Sequence, residues 1–154
     1  MSAQGATRPA LQAAERAAAL LARSGNASAY LLEAHAGVVA CYLTLWERAR
    51  RHPAAVVVLR RRTRQAVRGL AGFSRIFSVG GPRTQFYAGQ IAALEGHPAR
   101  ARRVWQAGHA QAQALAMVYE QAQLAAALAR GGGAGARPAA GVLGRILQRW
   151  RPAR

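Results

Sequence analysis

Residues 82–115 run PRTQFYAGQIAALEGHPARARRVWQAGHAQAQAL. Pro82 suits the first turn of a helix, where a missing N–H leaves no extra vacancy. Gly96-His97-Pro98 supplies the turn, ending one helix at Gly96 and starting the next at Pro98. Gly89 on the first segment and Ala101 on the second are small side chains at contact positions. Trp105, one turn beyond Ala101, is the bulky group that such small neighbours admit. Val104, Gly108, Ala112 and Leu115 continue the apolar stripe of Ala101 and Trp105. The stretch is one helix-turn-helix unit, and the rest of the chain is expected to stack on it.

Toward the C-terminus a further helix is expected over 118–130, with Tyr119, Ala122 and Ala126 on one side and Met117, Leu124 and Leu128 on the other. Apolar residues on two sides predict two neighbours. The run GGGAG from Gly131 to Gly135 stops that helix, and residues 131–137 have the composition of a flexible linker. Residues 138–151 then form a basic amphipathic segment. Val142, Leu143, Ile146, Leu147 and Trp150 are on one side, and Arg145, Arg149 and Arg151 around them. Its expected role is to cap the open end of the stack, with contact to an anionic membrane or to a partner groove as alternatives.

Toward the N-terminus, Gly80-Gly81-Pro82 marks a turn. No strand precedes it and no Gly-Lys-Ser follows, so it lacks the setting of a phosphate loop. Before the turn, residues 53–77 carry Val56, Leu59, Thr63, Ala66, Leu70, Phe73 and Phe77 in unbroken 3,4 spacing. Arg61, Arg64, Arg68 and Arg75 recur on the opposite face, with Arg60 beside them. That basic stripe is either a solvated face or a contact for an acidic partner. A helix over 27–51 shows two adjacent apolar stripes, one through Leu31, Ala34, Val38, Cys41 and Leu45, the other through Leu32, His35, Val39, Tyr42 and Trp46. The first helix is expected to open near Thr7 or Arg8 with Pro9 in its first turn, to follow a frayed start, and to end at about Arg23 before Ser24-Gly25-Asn26.

Composition agrees with an all-α chain: of 154 residues 52% are apolar but only 6% aromatic. All 22 basic residues are Arg and all 5 acidic ones Glu, leaving a net charge of +17. A coding bias toward Arg accounts for the missing Lys but not for the scarcity of acids, so an acidic partner (nucleic acid, anionic lipid or an acidic protein face) is one expectation. Cys41 is the only cysteine, which excludes an intrachain disulfide and favours a cytoplasmic site. No signal peptide is read at the start. The uncharged run 36–46 falls well short of the roughly 20 residues that cross a bilayer.

Residues 82–115 resemble the tetratricopeptide repeat, a helix pair that stacks into a solenoid. Ala88-Gly89 stands on its Leu-Gly pair, Gly96 on the turn glycine, Ala101 on the small residue of the second helix and Trp105 on its aromatic. A second unit from Ala116 places Tyr119 on the first aromatic position. Gln85, Ala92 and Gln113 depart from the pattern, which makes the repeat degenerate. Over 30–128 the chain also resembles the C-terminal helical-repeat region of large bacterial signalling ATPases, including those attached to nucleotidyl cyclase domains. That resemblance rests on Tyr42-x3-Trp46-Glu47, Phe77-x4-Pro82, Gly89-x6-Gly96, Ala101-x3-Trp105 and Leu115-x-Met117-x-Tyr119-Glu120. It implies a sensor or scaffold arm, with neither ATPase nor cyclase activity carried over.

Chemistry-bearing residues do not cluster along the chain. His35, His52, His97 and His109 never fall at metal-ligand spacing, Cys41 stands mid-helix among apolar residues, and only Glu33 and Glu47 share a helix. No catalytic, metal or cofactor site is expected. The predicted fold is all-α, stacked antiparallel helix pairs forming a tetratricopeptide-like α-solenoid fragment over 7–130, followed by the linker and the tail helix. The predicted function is a non-catalytic protein-interaction or scaffold module with a protein partner. The alternative is a non-specific nucleic-acid or anionic-membrane binder acting through its Arg surface.

Overall fold

A computed structural model describes residues 3–24 and 28–131. It consists of six helices: α1 (Ala3–Ser24), α2 (Leu31–Arg48), α3 (Pro53–Ile76), α4 (Gly81–Leu94), α5 (Pro98–Ala114) and α6 (Val118–Ala129). A single 3-10 turn, Ser78–Gly80, leads into α4. No strand occurs among the described residues, so the chain is all-α there, as its 3,4 periodicity predicts. The Gly25-Asn26 stop, the linker beyond Gly131 and the tail segment with Arg145, Arg149, Trp150 and Arg151 lie outside the described residues.

Three boundaries differ from expectation. α1 begins at Ala3, before Pro9, which therefore stands inside the helix rather than at its opening. One proline removes a single intrahelical bond, and α1 packs along α2, with Cys41 Sγ donating to the Ala10 carbonyl at 3.6 Å just beyond that point. α2 begins at Leu31 rather than near Ala27, because Ser28 to Tyr30 form a turn in which Ser28 Oγ accepts the Tyr30 N–H at 3.3 Å. It also ends at Arg48, so Arg50 and Arg51 fall in the connection to α3, whose Pro53 sits in the first turn.

Consecutive helices pack against each other throughout, and α4 touches α2 and α6 as well as α3 and α5. Short connections between packed neighbours return the chain alongside itself. The core is contributed by all six helices. Tyr42, Leu70, Phe73, Trp105 and Leu124 are the large side chains buried most completely in it, each no more than 2% exposed.

The α4–α5 contact is built around Gly89 and Trp105. A Cβ at Gly89 would collide with the indole, so the glycine is what allows the ring to lie against the α4 backbone. The Trp105 Nε1–H then donates to the Phe86 carbonyl at 3.0 Å, satisfying the one polar atom that burial would leave unpaired. Ala101 and Ala112, both 0% exposed, flank it along α5. Gly108 plays the same part toward both neighbours: a Cβ there would lie 2.9 Å from Gln85 on α4 and 3.2 Å from Leu124 on α6.

α4 and α5 end in the same way. At Gly96 the backbone turns left-handed with φ +80°, and the His97 N–H closes onto the Ala92 carbonyl at 2.8 Å. At Ala116 φ is +53°, and the Met117 N–H closes onto Ala112 at 2.9 Å. Both are Schellman turns, one with the glycine that the left-handed region favours and one without.

The face of α6 departs from expectation. Its buried residues are Glu120, Leu124 and Ala127, while Tyr119 is 49% exposed and Ala122 is exposed. α5 and α4 cover one side of α6, and no later helix among the described residues covers the other.

Candidate functional site

The densest polar arrangement lies where α2, α4 and α6 meet. Arg83, the third residue of α4, is turned inward, with only 9% of its side chain exposed. Its Nη2 donates to Glu120 Oε1 on α6 at 2.6 Å and to Glu33 Oε1 on α2 at 3.1 Å, and its Nη1 reaches Glu33 Oε2 at 3.5 Å. The Tyr119 ring lies 5.5 Å from the guanidinium carbon, in cation–π range. One cation therefore joins three helices that are separate in sequence.

The two carboxylates contribute differently. Glu120 is as buried as Arg83, at 9% of its side chain, whereas Glu33 is 74% exposed and screened by water. Burial pulls the Arg83 guanidinium down, but the Glu120 hydrogen bond and the Glu33 charge outweigh it, leaving the pKa raised. Arg83 Nε has no partner. Beside the pair, burial pushes the Tyr87 phenol up to about 12, against an opposing pull from Arg83.

The basic stripe of α3 is divided. Arg61, Arg64, Arg68 and Arg75 are all exposed, but Arg64 Nη2 lies 2.7 Å from Glu95 Oε1 at the end of α4, and Arg60 Nε lies 3.2 Å from the same oxygen. These are charge contacts without hydrogen-bond alignment, since Glu95 Oε1 accepts no directed bond. Arg64 thus helps hold α3 to α4 instead of standing free in the row. Arg61, Arg68 and Arg75 have no carboxylate within ion-pair range among the described residues. Arg68 and Arg100 border a cleft of about 250 Å³ between α3 and the α4–α5 unit.

The remaining candidates are scattered. Gly89, Gly96, Ala101 and Trp105 occupy the α4–α5 unit, and Tyr119 joins the Arg83 cluster from the exposed side of α6. Cys41 is half-buried on α2, with its thiol pushed up by burial. No group of three or more His, Cys, Asp or Glu able to hold a metal occurs among the described residues. No helix there is long and apolar enough to cross a membrane.

The Arg83 cluster was not singled out by sequence reasoning, although a signal for it exists. Arg83 lies in 3,4 register with the buried Phe86, Tyr87 and Gln90, and Glu120 in 4,3 register with Leu124 and Ala127. A charged residue on each of two apolar stripes, of opposite sign, is the trace of a buried pair. The partner of each, 37 residues away, is set only by the packing of α4 on α6.

No protein-family model, characterised protein or solved structure matches this chain.

Proposed function

We propose that the chain is a non-catalytic protein-interaction module of tetratricopeptide-like type, of the kind that serves as a scaffold arm in bacterial signalling proteins. The observation that carries this is the position of α4, which packs on α2 and α6 as well as on its sequence neighbours. Stacked helix pairs bring every second helix to one side, and that side is where such modules receive a partner. The Gly89–Trp105 contact and the paired turns at Gly96 and Ala116 suit the same architecture.

On the α2–α4–α6 side, Glu33 and Tyr119 are exposed around the inward Arg83, and Tyr30, one turn before Glu33, is 93% exposed. Exposed tyrosines beside a fixed charge are typical anchors of a protein contact. The test is affinity capture from bacterial lysate, followed by reconstitution with the purified captured protein, using the full chain and a Tyr30→Ala/Tyr119→Ala variant. The variant should lose no more than the roughly 0.5–1 kcal/mol of the Tyr119–Arg83 contact in stability and bind at least tenfold more weakly. Undiminished binding would remove this side of the stack as the contact surface.

A second function, attachment to an acidic partner such as nucleic acid or an anionic membrane, is favoured by the exposure of Arg61, Arg68 and Arg75 along one flank of α3. It differs from the first in its response to salt. Electrostatic attachment weakens steeply as ionic strength rises, and apolar anchoring does not.

A further inference from the structure

α4 packs on both α3 and α5, and the cleft of about 250 Å³ noted above is lined from all three. Ile91 and Ala92 of α4 and Val67 of α3 give it an apolar lining, while Arg68 reaches it from α3 and Arg100 from α5. Its volume falls just below the roughly 300–1,000 Å³ of sites that enclose a whole drug-sized molecule. It suits one small group rather than a length of chain.

The charges around the cleft do not balance. Glu95 is the one carboxylate among the described residues that line it, and only 10% of its side chain is exposed. Arg60 and Arg64 both lie against its Oε1, so that charge is already met twice over and leaves nothing for other cations. Arg68 and Arg100 have no carboxylate within ion-pair range among the described residues. Arg100 is also the third residue of α5, whose first turn carries no acid, so its charge meets the positive end of the helix. Two guanidinium groups from different helices therefore share one concavity without a counter-charge. This sets them apart from Arg61 and Arg75, which belong to the α3 row but not to the cleft.

An oxyanion in the cleft can accept from both guanidinium forks at once, and such charge-assisted bonds are the strong ones. The two unmet charges match a dianion. A phosphate monoester carries close to two charges and three terminal oxygens on one side, whereas a sulfate ester or a phosphodiester carries one charge. We propose that this cleft binds a small phosphate monoester, its terminal oxygens shared between Arg68 and Arg100 and its organic part against Val67 and Ile91. This assignment does not rest on the protein-interaction module proposed above. It differs from attachment of a polyanion along α3 in requiring Arg100 and not Arg61 or Arg75.

The probe is phenyl phosphate, titrated into the full chain by calorimetry at about pH 8, where the monoester is a dianion. Phenyl sulfate, of the same shape and with one charge, is titrated beside it. The expected result is saturable one-to-one binding of phenyl phosphate, with phenyl sulfate at least about tenfold weaker. This comparison uses the unaltered chain and needs no variant to fold. Arg68→Gln and Arg100→Gln each remove an exposed side chain that holds no ion pair, so both should melt as the unaltered chain does. Each should weaken phenyl phosphate binding at least about tenfold, the loss of one charge-assisted partner. Arg61→Gln/Arg75→Gln should bind phenyl phosphate as the unaltered chain does, which separates the cleft from the row. Oligothymidylate without a terminal phosphate should not displace the bound probe; displacement would give the cleft to a nucleic-acid backbone instead. Equal binding of phosphate and sulfate, several equivalent phosphate sites, undiminished binding by Arg100→Gln, or no saturable binding at all would each overturn the proposal.

Discussion

A hydrogen atom in place of a side chain at position 89 is what lets α4 and α5 approach closely enough to bury Trp105 to 1% exposure. An added methyl would meet the indole itself, a rigid group held by its bond to the Phe86 carbonyl, which cannot swing aside. Gly89→Ala should therefore destabilise the fold by about 1–3 kcal/mol in urea unfolding, despite the better helix propensity of alanine. Trp105→Leu should cancel most of that penalty by vacating the space, so the two changes should be strongly non-additive. Ala116 presents the opposite case. Its φ of +53° is a conformation that an L side chain resists, and Gly occupies the matching position in the turn after α4. Ala116→Gly should raise stability by about 0.5–1 kcal/mol, the relief of left-handed strain less the greater freedom of glycine in the unfolded chain. A lowered urea midpoint would show that the Ala116 methyl makes a contact worth more than the strain it carries.

The join between α2, α4 and α6 depends on an ion pair that is stabilising only while complete. Glu120→Ala should cost about 3–5 kcal/mol, because it leaves Arg83 inside the stack with only the solvent-screened Glu33. Replacing both members, Arg83→Met with Glu120→Leu, should cost markedly less than the sum of the single changes. Tyr87 adds a pH limit to the same join. Burial favours its neutral phenol, so the folded chain holds that proton up to about 12 while the unfolded chain releases it near the ordinary 10. The resulting stability, roughly 2–3 kcal/mol, is complete below pH 10 and lost as pH climbs through the folded value. Urea midpoints of the native chain and of Tyr87→Phe should therefore keep a constant separation below pH 10, with the native chain falling faster above it. These features also mark how far the sequence could be read. Helices α3 to α5 were legible because proline starts, glycine stops and 3,4 stripes all agree there. The Arg83 cluster was not, since a charge on an apolar stripe shows that a partner is needed without showing which helix brings it. The exposed setting of Tyr119 was missed for the same reason: periodicity gives two apolar sides to α6 but not which of them is covered.

At the scale of the whole molecule, the scarcity of acids and the excess of arginine act together. Four of the five glutamates, Glu15, Glu33, Glu95 and Glu120, are engaged in ion pairs between helices. The acids thus join the stack internally and leave little negative charge to offset the arginines that face outward. Along α3, Arg61, Arg68 and Arg75 span roughly 20 Å at a rise of about 1.5 Å per residue. Arg64 must be left in place in any test of that row, because its pairing with Glu95 holds α3 to α4 and its removal would confuse binding with folding. Arg61→Gln/Arg68→Gln/Arg75→Gln should melt at or slightly above the temperature of the unaltered chain, since removing like charges from one face relieves repulsion. If the row meets a polyanion, the variant should bind duplex DNA more weakly, and the slope of log affinity against log salt should flatten by up to about 0.9 for each phosphate that the row no longer neutralises. A companion variant, Arg145→Gln/Arg149→Gln/Arg151→Gln, applies the same measurement to the C-terminal segment. A slope unchanged in the α3 variant and flattened in the companion would place the electrostatic attachment in that segment and leave the α3 row a solvated face.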